Sequence, residues 1–205
     1  MSNTIDNNAL FKISYGLFCL TAADSVKNNG CIVNTVIQVT QNPLKIAVCV
    51  NKSNYTHDLI MNSGVFNVSV LTESTPFSLF ERFGFSSGRF TDKFDGFEFW
   101  AASENNLPYL TKYANAFYSA KVSEKVDCGT HTMFIAEVTE AKILNDEKSV
   151  TYEYYFANIK PKPQPEKKKG YVCKICGYVH EGEELPPDFV CPWCKHPASD
   201  FEPLK

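Results

Sequence analysis

Short apolar runs rich in β-branched residues, broken by turn residues, dominate the first three quarters of the chain. Ile32–Thr40 and Leu44–Val50 read as two strands separated by Gln41-Asn42-Pro43, a turn signal. Val65–Leu71, Phe117–Val126 and Thr132–Ile143 read as further strands. Two segments have helical punctuation instead. One is expected to start with Thr56 as N-cap and to stop before Gly64. The other takes Thr75 as N-cap and Pro76 as first helical residue, and runs to Gly84. Many strands with few helices predict a mainly β domain, a barrel or sandwich with short helices. No internal repeat is visible.

The pattern changes at Asn158, where NIKPKPQPEKKKG alternates proline with polar residues and ends in a lysine run. Such a stretch buries no apolar surface and favours an extended form at roughly 3 Å per residue. The expected organisation is therefore a domain over 1–157, a Pro/Lys-rich linker over 158–169 and a small domain over 170–205. The lysines Lys167–Lys169 are expected to be solvated linker rather than a binding patch.

Composition adds limits. The chain has 205 residues, is 44% hydrophobic and 14% aromatic, and carries a formal charge of −3. That is enough apolar material for a packed core and gives no basic surface for nucleic acid. The start, MSNTIDNNAL, lacks the pattern of a signal peptide, and no stretch has the length of a membrane span. A soluble, cytoplasmic protein is expected. In that setting Cys19, Cys49 and Cys128 are expected to be small buried hydrophobes.

The remaining cysteines form two pairs, Cys173-Lys-Ile-Cys176-Gly-Tyr and Cys191-Pro-Trp-Cys194, 14 residues apart. Two C-x-x-C turns can close four thiolates on one tetrahedral ion. Gly177 allows a left-handed turn in which backbone N–H groups face sulfur. A segment this short cannot hold a core alone, so the metal supplies folding energy. Four sulfurs suit zinc or iron equally. The surrounding residues, notably Leu185-Pro186-Pro187-Asp188-Phe189-Val190-Cys191-Pro192 and Asp200-Phe201, resemble rubredoxin, in the compact form that ends rubrerythrins. That resemblance implies one iron ion on Cys173, Cys176, Cys191 and Cys194, cycling by one electron. Lys195 departs from it, standing where the second turn usually has glycine, so the left-handed turn there is expected to be strained or differently bonded.

In the first domain, Asn28-Asn29-Gly30-Cys31 reads as an exposed turn before a strand, and Asn51-Lys52-Ser53 leads into the first helix. Amides at a helix start, hydroxyls and a lysine make a possible phosphate cradle. The ordered segments Val48–Ser53 with Thr56-His57, Gly64–Leu71, Arg89–Phe94 and Gly129-Thr130-His131 resemble the flavin reductase-like family of FMN-binding split β-barrels. The resemblance spans nearly all of residues 5–157. It implies a homodimer with FMN at the interface, its ring against Val33, Asn34, Thr35 and Val36 and near Cys31. Lys52, Ser53 and Thr56 would hold the phosphate, with Arg89 and Lys93 contributing or else standing as surface charges. His131 would lie near the nicotinamide side, although Thr130 replaces the aspartate usual before it. His57 is expected on the helix surface or beside the phosphate.

The fusion resembles high-molecular-weight rubredoxins of anaerobes. It implies an NAD(P)H oxidoreductase in which FMN takes a hydride and passes single electrons to iron, which reduces a partner such as a flavodiiron oxygen or nitric oxide reductase. Two other readings remain open: a carrier loaded by a separate reductase, and a flavin reductase with a structural zinc ribbon.

Overall fold

A computed structural model describes residues 6–162 and 170–204. The fold is mostly β. Its centre is a seven-stranded antiparallel sheet in the order β2-β1-β5-β8-β9-β4-β3. The strands are β1 (Phe18–Ala23), β2 (Asn28–Val33), β3 (Val36–Gln41), β4 (Leu44–Asn51), β5 (Val65–Leu71), β8 (Ala114–Asp127) and β9 (His131–Ile143). β2 and β3 occupy opposite ends of that order, yet only Asn34 and Thr35 separate them in sequence. The three Cα–Cα steps from Val33 to Val36 span at most about 11 Å, so the sheet must curl until its edges nearly meet. The result is a barrel left open along one seam, and the seam lies at Asn34–Thr35.

The apolar alternation expected of a barrel wall fills the interior. Leu20, Val48, Phe66, Val68 and Phe134 point inward and are fully buried. Helix α1 (Tyr55–Ser63) covers this core with Thr56, His57, Leu59 and Ile60, a stripe at helical spacing. It ends at Gly64, whose φ of 71° permits the left-handed cap and whose N–H donates to the Ile60 carbonyl. A second cluster, including Leu79, Phe80, Phe83, Leu110, Val150 and Tyr155, packs outside the barrel. It gathers α2 (Phe77–Phe80), the hairpin β6 (Trp100–Ala102) and β7 (Pro108–Leu110), and α3 (Tyr152–Tyr154).

Several expected boundaries move, each for a local reason. The strand expected over Ile32–Thr40 breaks at the seam. The first helix is capped by Asn54 rather than Thr56, whose hydroxyl is turned inward and accepts from Asn29 Nδ2 at 2.9 Å. Thr75 does not cap the second helix because its hydroxyl donates to the Tyr113 carbonyl. α2 starts after Pro76 and widens into a π-turn over Glu81–Phe85. Asn28–Cys31, expected as an exposed turn, is strand β2 paired with β1, and Asn29 is buried. Strand β1 escaped the sequence reading altogether.

The C-terminal module is a three-stranded sheet of β10 (Gly170–Cys173), β11 (Val179–Glu181) and β12 (Phe201–Pro203), in the order β11-β10-β12. The turn after α3 runs through Asn158 and Ile159, and Lys160 reaches the module. Its Nζ donates to the Ile175 carbonyl at 2.8 Å. Any free linker therefore lies beyond Lys160, and residues 163–169, with the lysine run, fall outside the described residues. Among the described residues no helix is long and apolar enough to cross a membrane.

Candidate metal centre and flavin site

Two tight turns, each closed by a bond across four residues, build the sulfur cluster. After Cys173 the chain turns back through Gly177, whose N–H donates to the Cys173 carbonyl at 2.8 Å with φ at 81°. After Cys191 it repeats the move through Lys195, whose N–H donates to the Cys191 carbonyl at 3.0 Å with φ at 64°. The left-handed lysine expected from the sequence is present. The two turns bring all four sulfurs within 4.8 Å of one another. Cys173–Cys194 and Cys176–Cys191 stand at 3.5 Å. A tetrahedral ion with metal–sulfur bonds of about 2.3 Å needs edges of about 3.8 Å, so the donor set fits such an ion with little movement.

The electrostatics point the same way. Hydrogen bonding from the Cys194 thiol, helped by the Tyr178 amide, holds Cys176 down to about 5. Burial pushes Cys173 up to about 11 even though the Ile175 and Cys176 amides face its sulfur. Cys194 is pushed up by its bond to Cys176 and by burial, against the His196 amide. Four thiols this close, three of them buried and Cys194 half-buried, cannot all ionise unless a cation joins them, while backbone N–H groups already aim at three of the sulfurs.

At the seam, Val33, Asn34, Thr35 and Val36 form one edge, with Thr35 Oγ1 donating to the Cys49 carbonyl at 3.1 Å. Beside it, the β4–α1 loop and the β8–β9 turn are tied together. The Lys52 N–H donates to the Thr130 carbonyl at 3.0 Å, and Lys52 Nζ pairs with Asp127 at 2.7 Å. Asn54 makes no side-chain cap bond, so first-turn amides of α1 keep donor capacity next to Ser53. His131 begins β9 opposite Asn51, and its Nδ1 pairs with Thr130 Oγ1 at 2.9 Å. The threonine thus supplies the orienting bond that an aspartate would. Burial, and then the nearby His196, push the His131 imidazole down, so it is neutral at pH 7.

The other expected contacts are engaged with partners in the protein. Cys31 and Thr56 face the barrel core, where the Thr56 hydroxyl bonds the Cys31 sulfur and burial pushes that thiol up. Arg89 is engaged by Asp58 at 2.6 Å and lies over the Tyr55 ring. Lys93 is not the surface charge considered for it, being 4% exposed. Its Nζ donates to the carbonyls of Gly30 at 2.8 Å and Phe83 at 2.9 Å, bracing β2 from behind. Its burial pushes the ammonium down. His57 is not on the helix surface either: it is buried, with Nε2 bonded to Thr132 Oγ1 at 2.9 Å. Cys19 is buried as expected, but Cys49 is only half-buried and Cys128 is exposed at the β8–β9 turn. Sequence reasoning missed Asn29, which links Thr56 to the strand behind the seam. Its place in an apparent Asn-Asn-Gly turn concealed it.

Known proteins match both halves. The flavin reductase like domain matches residues 10–162, and the rubrerythrin, rubredoxin-like domain matches residues 171–202. A high molecular weight rubredoxin of Moorella thermoacetica is 37% identical over 98% of this chain and 100% of its own. A ferric-chelate reductase (NAD(P)H) of Archaeoglobus fulgidus is 42% identical over 74% of this chain and 89% of its own. Among solved structures, an NADH:FAD oxidoreductase of Streptomyces globisporus superposes with a TM-score of 0.64 at 22% identity, covering 70% of this chain and 83% of that one. An FMN-binding protein of Thermus thermophilus superposes at 0.65 and 18% identity, covering 74% and 89%. These two likenesses concern the fold. The chain belongs to the flavin reductase-like family and carries a rubredoxin-like domain of the rubrerythrin type at its C-terminal end.

Proposed function

We propose that this protein is an electron-transfer oxidoreductase that carries electrons from NAD(P)H to a protein acceptor by way of FMN and one iron ion. The observation that carries the reading is the closed cluster of four sulfurs on the same chain as a flavin reductase-like barrel. When bound, the flavin supplies exchange between two-electron and one-electron chemistry, and the iron supplies a one-electron centre without an open coordination position.

The chain's own residues divide the work. Val33 to Val36 offer the seam edge to the flavin ring, and Lys52, Ser53 and the first-turn amides of α1 offer positive potential to its phosphate. Lys52 can leave Asp127 for an anion because both side chains are open to solvent. Arg89 must likewise give up Asp58. His131, neutral and held at Nδ1 by Thr130, positions the nicotinamide side. Thr56 and Lys93 act from behind, bracing β2 through Asn29, Cys31 and the Gly30 carbonyl. The four sulfurs would hold the iron, and the amides of Ile175, Cys176, Tyr178 and His196 offset the negative charge of the thiolates.

A homodimer formed along β3 completes the site. β3 is a sheet edge with unpaired backbone groups and exposed Ile37 and Val39, a surface that a second copy would cover. The protein works in the reducing cytoplasm, in keeping with eight unpaired cysteines. Its acceptor is a redox protein of the flavodiiron type.

The test is a visible spectrum of the purified protein with metal analysis, followed by anaerobic mixing with NADH. Overlapping flavin and ferric–thiolate bands, one iron per chain and rapid bleaching of both support the relay. Slow or absent bleaching by NADH leaves a carrier loaded by another reductase. Zinc in place of iron ends the relay.

A further inference from the structure

The two halves of the molecule touch through an aromatic pair. Trp193, which immediately precedes Cys194 in the second cysteine pair, stacks on Phe85 with centroids 5.7 Å apart and planes within 15°. Phe85 closes the π-turn after α2 and also packs against the module's buried cysteines. The preceding residue, Gly84, lies against Ile32, where an added Cβ would come within 3.4 Å of Ile32 Cγ1. Ile32 adjoins the seam residue Val33. Contacts therefore run from the seam strand through Ile32, Gly84 and Phe85 to Trp193 and the second cysteine turn. The first cysteine turn is gripped separately by the bond from Lys160 Nζ to the Ile175 carbonyl. Between the two grips lies a cleft of about 490 Å³, walled by Phe77, Phe156 and Lys160 on one side and by Cys173, Cys176 and Trp193 on the other.

We propose that the Phe85–Trp193 stack is the junction at which the thiolate module docks on its own barrel to receive electrons in cis, with Phe85 as the positioning residue. The proposal rests on the relay reading above. Electron transfer slows exponentially with separation, so a contact that fixes the module at the seam side sets the rate of hand-off. Each hand-off moves one electron, oxidising the reduced flavin by one electron and converting ferric to ferrous iron. Two hand-offs, with the iron reoxidised by the acceptor between them, discharge the electron pair that NAD(P)H delivers, and the accompanying proton is released to water. A flat, half-exposed stack suits this use: it is large enough to set an orientation and small enough to release the module to an outside acceptor.

The experiment is anaerobic stopped-flow mixing of the full-length, flavin- and iron-loaded protein with NADH, following the flavin and ferric–thiolate bands separately. In the unaltered protein the iron phase keeps one first-order rate when protein concentration is varied. Phe85→Ala slows the iron phase by about tenfold or more and leaves the flavin phase unchanged, whereas Phe85→Trp restores it. Small-angle scattering of the Phe85→Ala, Lys160→Met double variant shows a larger radius of gyration than the unaltered chain. An iron phase that speeds up with protein concentration, or one untouched by Phe85→Ala, overturns the proposal. If NADH leaves the flavin oxidised, the relay reading has failed. Photoreduction of the flavin then starts the same iron phase and tests the junction alone.

Discussion

Single residues here are set by their immediate partners, and two of them carry measurable consequences. Lys195 sits at a φ of 64°, the conformation that glycine occupies at the equivalent turn after Cys173. Its Cβ makes that backbone costly by about 1 kcal/mol. Lys195→Gly is expected to raise the guanidinium midpoint for loss of the metal–thiolate absorption, and an unchanged midpoint would refute the strain. Asp58 shows the opposing pulls on a surface carboxylate. Partial burial works upward, but Arg89 and then His57 outweigh it and hold the group below its ordinary value. The folded state therefore binds this proton less readily than the unfolded chain. The stabilisation is full above about pH 4 and is lost as pH falls through the lowered folded value. Because both partners are about 40% exposed, solvent limits it to about 0.5 kcal/mol. Asp58→Asn should lower urea stability by that amount at pH 7 and cost less as the pH falls below about 4. Lys195 was visible in the sequence as a misplaced lysine, whereas the Asp58 pairing was not read there. Nor was the burial of Lys93 and His57, because nothing local distinguishes a buried, satisfied cation or imidazole from an exposed one.

The elements follow the sequence where local patterning suffices. β5 has the boundaries that its β-branched run and Gly64 predict, and β4, β8 and β9 differ from expectation by a few residues at their ends. The failures occur where a side chain's partner is remote. Thr75 and Thr56 are ordinary capping residues, yet their hydroxyls bind the Tyr113 carbonyl and the Asn29 amide, so the caps form elsewhere. β1, with Cys, Ala and Thr among its six residues, has weak strand propensity and exists because β2 and β5 flank it. The loop after the π-turn makes a similar dependence testable. Gly88 packs against Asn29, and a Cβ there would collide with the Asn29 side-chain oxygen. Gly88→Ala is expected to cost about 1–3 kcal/mol in a urea titration, with Asn29 displaced from Thr56. A loss of a few tenths would mean that the loop simply moves aside.

At the scale of the whole molecule, the barrel and the module draw stability from different sources. The first domain has two extended cores rich in Leu, Val and Phe, one inside the barrel and one outside it, whereas the module's buried centre is chiefly its own cysteines and Phe201. Removing the metal from the holoprotein is therefore expected to abolish hydrogen-exchange protection over 170–204 and to leave that of β1–β9 intact. Protection that survives chelation throughout the module would show that its packing is self-sufficient. The sequence by itself determined the mainly β character, the presence of two family-like segments and the four cysteines that cluster. These rest on short-range spacing: C-x-x-C turns and β-branched runs that retain their meaning in any context. Only the tertiary structure decided that residues 32–40 break into two strands at opposite sheet edges. The same holds for the burial of Lys93 behind β2 and the stacking of Trp193 on Phe85. Each depends on closing a sheet or docking a module across many residues of chain, and local sequence carries no record of which distant groups closure brings together.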